Sequence, residues 1–472
     1  MEAQPFTYLI TPVRELFKWP PGASPFAVPP PPAGSFAHAP PFNIPDEWWA
    51  PVLDARVPVT IAAVYAITAK TLTSYNLKRN KQPWAISKTR AFKVFVVLHN
   101  VFLAVYSAWT FVNMAGAMHR SIASPRGPGG ITATVDSFCQ INGASGFDGG
   151  VFYNEETGNY ATLGNNAGLD AATGLPSRTT PGRLWNEGLA FYGWWFYLSK
   201  FYEVLDTVII LAKGKPSSTL QTYHHAGAMM CMWAGIRWMA PPIWLFVVYN
   251  SLIHSLMYTY YTVTAFNIRV PMVIKRTLTT MQITQFLVGV TCAMSYSFIA
   301  YALPVTVQVP QTVTAEPKPI ASVAEANAGV LGNLKQMMVG AMTKAADAAA
   351  SASSAASASP STTYRSETVY VSQNCVNSSG VQFAVWLNVF YLAPLTYLFV
   401  SFFIASYTRR GRTAAAGAKG KTTAAESQLI DVQRAEKAGW EAAKSVEKEV
   451  YGQDGASSPK RATRSATLAA RR

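Results

Sequence analysis

Seven apolar runs of bilayer-crossing length dominate this chain. They fall at residues 57–75, 94–119, 189–212, 219–238, 243–266, 278–303 and 382–407. A helix needs about 20 consecutive apolar residues to cross a bilayer. Only helices and closed barrels satisfy their backbone hydrogen bonds in lipid. The alternating pattern of a β-barrel strand is absent. Half of the residues are hydrophobic and 13% are charged, against about a quarter charged in a soluble domain. The expected fold is therefore all-α and polytopic, with seven transmembrane helices.

Charge orders the connections. The loop after the first run carries Lys78, Arg79, Lys81, Lys88, Arg90 and Lys93 without an acid, and Lys213, Lys215, Arg269, Lys275 and Arg276 follow the third and fifth runs. "RRGR" follows the seventh. Basic loops face the cytosol, which predicts a luminal N-terminus and a cytosolic C-terminus. The net charge of +15 thus reports orientation, and no nucleic-acid partner is expected. The opening "MEAQPFTYLITPVREL" has neither the basic region nor the clean apolar stretch of a cleavable signal, so the first run is expected to direct insertion.

Four segments read as peripheral. Residues 1–50 form a Pro-rich luminal tail, expected to be poorly ordered. Luminal insertions are expected at 120–188 and 304–381 within a membrane domain of 51–407, and a basic cytosolic tail at 408–472 with room for a short helix near 426–451. All four are expected to be linker or decoration. Cys139 and Cys375 fall in the two luminal insertions and can pair if that compartment is oxidising. Asn377 opens a glycosylation sequon, Asn377-Ser378-Ser379.

Ionisable groups are expensive in lipid and mark function when they cluster. The third run contains Lys200, Glu203, Asp206 and Thr207 at helical spacing; the fourth opens with Gln221, His224 and His225. The fifth carries Asn250, His254, Tyr258 and Tyr261; the sixth carries Thr279, Gln282 and Gln285; the second adds His99 and Asn100. Lys200 and Glu203 can form a local ion pair, and Asp206 can orient a histidine from a neighbouring helix. Each group has an alternative reading as a hydrogen-bonded packing residue, but histidines on consecutive runs favour a site. The chain has six histidines, fewer than a di-iron centre with its histidine boxes uses. A zinc on His224, His254 and a carboxylate is stoichiometrically allowed; no metal is expected. The rival class is a seven-helix receptor or transporter that binds without turnover.

The elements "KxxExxDT" (Lys200–Thr207), "QTYHHA", "NxxxHxxMYxYY" (Asn250–Tyr261) and "TxxQxxQ" (Thr279–Gln285), in this order, resemble the ELO family of fatty-acid elongases. "LHN" at Leu98–Asn100 is similar too. The family's box is HxxHH; here Gln221 takes its first place, a variant resembling the polyunsaturated-chain branch. The resemblance implies a very-long-chain 3-oxoacyl-CoA synthase, an acyltransferase without cofactor. Such an enzyme condenses long-chain acyl-CoA with malonyl-CoA in the endoplasmic reticulum membrane. It implies spans 2–7 arranged as an inverted barrel around an acyl tunnel, with reductases and a dehydratase as pathway partners; a homodimer is compatible. By analogy, His224 is the nucleophile, His225 its orienter or acid/base, and His254 with Asn250 holds the malonyl thioester. Asp206 and Glu203 fix tautomers. Lys200, Arg269, Lys275 and Arg276 meet CoA phosphates, and Gln221, Tyr258, Tyr261, Gln282 and Gln285 contact substrate. Cys231 is expected to be a packing residue.

Overall fold

A computed structural model of the chain describes residues 4–147, 149–163, 166–266, 268–312 and 362–416. The chain divides into two units, Met1–Leu303 with Val371–Arg472, and Pro304–Tyr370. The low-complexity stretch within 304–381 and the tail helix expected near 426–451 lie outside the described residues.

The described residues are mostly helical, and every one of the seven apolar runs holds helix. A short α1 (Asp46–Val52) precedes α2 (Arg56–Lys78) and α3 (Arg90–Ser121). Then come α4 (Gly130–Cys139), α5 (Ala190–Tyr202), α6 (Val204–Ala212), α7 (Thr219–Arg237), α8 (Ile243–Ala265), α9 (Met272–Ser295) and α10 (Ser379–Ala416). Side-chain caps start three of them, among them α10, where the Ser378 hydroxyl accepts from the Val381 N–H. The Thr89 hydroxyl accepts from the Phe92 N–H, and the Ser218 hydroxyl accepts from the Gln221 N–H. α3 packs most extensively on α8, α7 lies against α2, α5 and α10, and α10 also packs on α9. Asn76 ties the α2–α3 connection to the end of α6. Its amide donates to the Leu211 and Lys215 carbonyls, and its oxygen accepts from the Trp84 indole.

Among the described residues three helices, α2, α3 and the Ser379–Val400 part of α10, are long and apolar enough to cross a membrane. Their outward faces carry uncovered apolar side chains, including Ile67, Leu98, Val105, Val112 and Phe390. Such a surface suits hydrocarbon rather than water. The other helices are broken or diluted by the polar residues that build the site.

The structure corrects four expectations. The third run is not one continuous helix, because α5 and α6 meet at Glu203. The α-helix of the sixth run ends at Ser295, a 3-10 turn covers Tyr296–Phe298, and the end of the run enters strand β5 (Ile299–Thr312). The fold is not purely α. Strands β1 (Phe6–Leu9), β5 (Ile299–Thr312) and β6 (Thr362–Asn374) form one sheet in the order β1-β5-β6, with Phe6 opposite Ala302 and Leu9 opposite Ile299. Strands β2 (Asn142–Gly143), β3 (Gly150–Asn154) and β4 (Asn159–Thr162) form a second, antiparallel sheet.

The fourth correction concerns the Pro-rich tail, which is packed structure. Ala27, Val28 and Ile44 join the main core. Prolines cannot donate hydrogen bonds, but their carbonyls and those of their neighbours accept them. Trp49 and Trp185 indoles bond the Ala27 and Val28 carbonyls at 2.6 and 3.0 Å. Arg237 reaches the Pro25 and Ser24 carbonyls, and Arg178 the Pro30 carbonyl. The 120–188 insertion folds against this strap. Its buried Arg183–Asp136 ion pair is completed by the Tyr301 hydroxyl. Cys139 at the end of α4 and Cys375 just before α10 are joined in a disulfide. Asn377 is partly buried, and Ser379 of its sequon is fully buried with its hydroxyl on Glu155. The sequon is therefore not presented on an open loop of the folded chain.

Glu155 clasps strap, insertion and α10 together. It accepts from Lys18, the Ser379 N–H and the Ser379 hydroxyl, while that hydroxyl accepts from the Gly22 N–H. Burial pushes the Glu155 carboxyl upward, but these donors outweigh it and hold the group below its ordinary 4.5. A depressed folded value gives stability that is fully present above that ordinary value and lost as pH falls through the folded one. Amide exchange at Gly22 and Ser379, corrected for intrinsic rate, should be slow at neutral pH and accelerate about tenfold or more under acid. Glu155→Gln should be fast at both pH values. Alkylation of the denatured, unreduced chain should label only Cys231 and Cys292, the two free cysteines, and reduction should expose Cys139 and Cys375.

Candidate active site

The break at Glu203 separates two polar clusters that would share one stripe on a continuous helix. On the α5 side, Lys200 and Glu203 are 3% and 2% exposed. Lys200 Nζ donates to Glu203 Oε1 at 2.7 Å and to Asn250 Oδ1 at 2.9 Å. Because that oxygen accepts from lysine, the Asn250 amide nitrogen is the atom facing His254 Nε2 at 3.2 Å. The nitrogen donates, so Nε2 must be the acceptor and the ring proton sits on Nδ1. Nδ1 lies 3.7 Å from Glu203 Oε1, and the Ser199 hydroxyl also donates to that oxygen. Hydrogen bonds thus run in a chain from Glu203 through Lys200 and Asn250 to His254, and the 3.7 Å approach of His254 Nδ1 to Glu203 closes the ring electrostatically rather than by a hydrogen bond.

On the α6 side, Asp206 turns to a different histidine. It accepts from His99 Nε2 at 2.8 Å and from the Tyr258 hydroxyl. Its expected role as an orienter is directed at α3, not at α7. Tyr261 lies beside this group, on the wall of a small, partly open pocket that it shares with Asn100, Asp206 and Lys213.

α7 divides its polar residues by helical phase. At 100° per residue, Gln221 and Tyr65-facing His225 point one way and His224 another. Gln221 is 1% exposed and donates to the Thr207 hydroxyl at 3.2 Å, while Tyr65 also bonds Thr207. His225 packs edge-on against Tyr65. His224 instead faces α10, where its Nδ1 lies 2.8 Å from the Tyr391 hydroxyl. Spacings of three and four from Gln221 allow it one face with both histidines, and the structure splits that face in two.

A partly open cavity is lined by Lys200, His224, Asn250, Gln285, Asn388 and Tyr391, with Phe196, Met232, Phe246 and Phe286 among its apolar walls. It brings together residues from α5, α7, α8, α9 and α10. His225, His254, Glu203 and Gln221 stand behind this lining. Gln282 contacts Met257 rather than the cavity. Arg269 and Arg276 are exposed, and Lys275 lies over the Tyr260 ring. They are not among the residues lining the cavity, and Lys200, in the last turn of α5, is buried on Glu203 and Asn250 rather than offered to solvent. Cys231 is fully buried, with its thiol toward the Leu387 carbonyl. Among the described residues no three His, Cys, Asp or Glu side chains converge as metal ligands. Tyr391 and Asn388 had no motif to announce them; their one sequence signal is polarity within the apolar seventh run.

Removing one partner of a buried ion pair strands the other charge and costs about 3–5 kcal/mol. Lys200→Met and Glu203→Gln should each lower thermal stability in detergent on that scale. The double variant should lose less than the sum, since it strands no charge.

Fatty acid elongase sre1 of Dictyostelium discoideum is 40% identical over 113 residues, 24% of this chain and 41% of that protein. Very long chain fatty acid elongase 3 of Homo sapiens is 35% identical over 104 residues, 22% of this chain and 38% of that relative. Very long chain fatty acid elongase 4 of Mus musculus is 40% identical over 98 residues, 20% of this chain and 31% of that relative. The chain spans less than half the length of these curated relatives. No solved structure matches it. The family model described as ELO, GNS1/SUR4 family, matches residues 50–415, which take in α2 to α9, nearly all of α10 and every residue lining the cavity. This chain belongs to the ELO, GNS1/SUR4 family.

Proposed function

We propose that this chain is a membrane-embedded condensing enzyme of fatty-acid elongation, a 3-oxoacyl-CoA synthase acting on long-chain acyl-CoA and malonyl-CoA. The observation that carries the reading is the cavity itself. It places a histidine with one unbonded ring nitrogen, His224 Nε2, on the same pocket wall as Lys200 and Asn250. A neutral imidazole can attack a thioester. Lys200 and Asn250 each keep an N–H beyond those spent on the ring described above, and such donors suit a developing oxyanion.

The chemistry runs in two steps. The His224 Nε2 lone pair attacks the acyl thioester carbon, the C–S bond breaks, and CoA leaves as a thiolate that takes a proton from solvent. The malonyl thioester then loses carbon dioxide, and its C–C bond electrons form an enolate stabilised by Lys200 and Asn250. The enolate carbon attacks the acyl group, and the imidazole leaves with its electron pair, returning to neutral histidine. His254 acts by holding Asn250, and Glu203 by holding His254 and Lys200. His225 and Gln221 support the α7 face from behind. Asp206 orders His99 and Tyr258 rather than the nucleophile. Arg269, Lys275 and Arg276, at the α8–α9 connection, meet the CoA phosphates.

This reading has seven crossings of the endoplasmic reticulum membrane, with spans 2–7 around the acyl tunnel, the strap and the 120–188 insertion luminal, and the C-terminus cytosolic. The other enzymes of the elongation cycle would take the 3-oxoacyl product. Gln221 in the box suggests unsaturated chains as substrates.

Membranes containing the chain, given acyl-CoA of varied length and unsaturation with labelled malonyl-CoA, should yield labelled 3-oxoacyl product. His224→Ala should lower that yield on the order of a thousandfold or more, and Cys231→Ser should retain it. Binding without product would favour a receptor or transporter instead.

A further inference from the structure

The cavity holds a tyrosine that the reaction above does not use. Tyr391 is 8% exposed and belongs to α10, 167 residues from His224 in the chain. Its hydroxyl has two neighbours on that one residue, the ring Nδ1 at 2.8 Å and the backbone carbonyl oxygen at 3.0 Å. The hydroxyl carries one proton. If that proton went to Nδ1, the hydroxyl oxygen would face the carbonyl oxygen at 3.0 Å with no hydrogen between them. If it goes to the carbonyl, the hydroxyl oxygen accepts from an Nδ1–H, and all three groups are satisfied.

The ring is held tightly enough for this bond to matter. A Cβ added at Gly227, one turn after His224, would lie 2.2 Å from Tyr391 Cε2. Only glycine at that position lets α10 bring the tyrosine ring down onto α7. The Tyr391 ring also packs on Tyr223, whose own hydroxyl bonds the Tyr391 carbonyl.

We propose that Tyr391 is the positioning residue that fixes His224 as its Nδ1–H tautomer, so that the Nε2 lone pair is the one presented to the thioester. This rests on the assignment of His224 as nucleophile. When Nε2 is acylated the ring becomes an imidazolium whose proton remains on Nδ1, and the tyrosine oxygen accepts from it. The positive charge on the ring balances the departing thiolate. It also makes the imidazole a better leaving group when the enolate attacks.

The test begins with the unaltered protein. Nitrogen-15 spectra of histidine-labelled enzyme, assigned by loss of the His224 signals in His224→Gln, should show His224 protonated at Nδ1 at neutral pH. Protonation at Nε2 overturns the proposal. Acyl-enzyme formation is then followed by mass in the absence of malonyl-CoA. Tyr391→Phe, which keeps the ring and removes the hydroxyl, should slow acylation about 10- to 100-fold, with KM for acyl-CoA little changed and a changed pH profile of the rate. Gly227→Ala should do the same by displacing the ring. Acylation of Tyr391→Phe at the rate of the unaltered enzyme overturns the proposal while leaving the condensing function intact. Unaltered enzyme that condenses without acylating His224 overturns both this inference and the nucleophile assignment; absence of condensation by unaltered enzyme instead defeats the function.

Discussion

The buried ring of Lys200, Glu203, His254 and Asn250 is the constraint on which the rest of the bundle depends. Two charges are taken out of solvent in an apolar protein, and each is tolerable only because the other is within 2.7 Å, with an amide bonded to the lysine, a hydroxyl bonded to the glutamate and an imidazole 3.7 Å from it. The arrangement needs α5 and α8 at a fixed separation and phase. It also explains the interruption at Glu203. A straight helix would carry Asp206 along the same stripe as Lys200 and Glu203, whereas the break lets Asp206 serve His99 on α3 and Tyr258 on α8. α3, α5, α6 and α8 are thus locked by two separate polar clusters, and the cavity opens beside the first.

The second organising feature is the end of the unit built from the N-terminal strap and the 120–188 insertion. Neither is ornament. Strap carbonyls accept from Trp49, Trp185 and Arg237, Glu155 bonds the start of α10, and the disulfide links α4 to the residue stretch that leads into α10. Since α10 carries Tyr391 and Asn388 into the cavity, these contacts anchor the helix that completes the site. Proline-rich sequence resists regular secondary structure, but it does not resist packing. Its unpaired carbonyls are satisfied here by indole and guanidinium donors, which composition does not reveal.

How much of the site was legible depends on how each residue signals itself. Lys200, Glu203, His224, Asn250 and His254 were visible because charge and imidazole are rare within apolar runs, and their spacing matched helical faces. The spacing of Lys200 and Glu203 allowed their local ion pair, alongside a phosphate contact from the same lysine near a basic loop; the further bond from Lys200 to Asn250 was not visible, since it joins two helices. The division of Gln221 and His225 from His224 was half visible. Spacing of three and spacing of four both count as one face, yet they differ by 100°, and here that difference decides which ring lines the cavity. Tyr391 was silent, because a tyrosine in an apolar run looks like packing until its neighbour is known.

Sequence by itself determined that helices would form in the seven apolar runs and which of them would carry polar groups, since hydropathy and helical period are local properties. It also determined the family, through ordered motifs whose spacing survives without knowledge of any contact. Only the tertiary structure decided which donors meet which acceptors. The kink at Glu203, the strand at the end of the sixth run, the packed strap and the Tyr391–His224 bond all follow from partners distant in the chain. Hydrogen bonds and ion pairs are short-ranged, so their pairing is set by how the helices come together rather than by the order of residues along them.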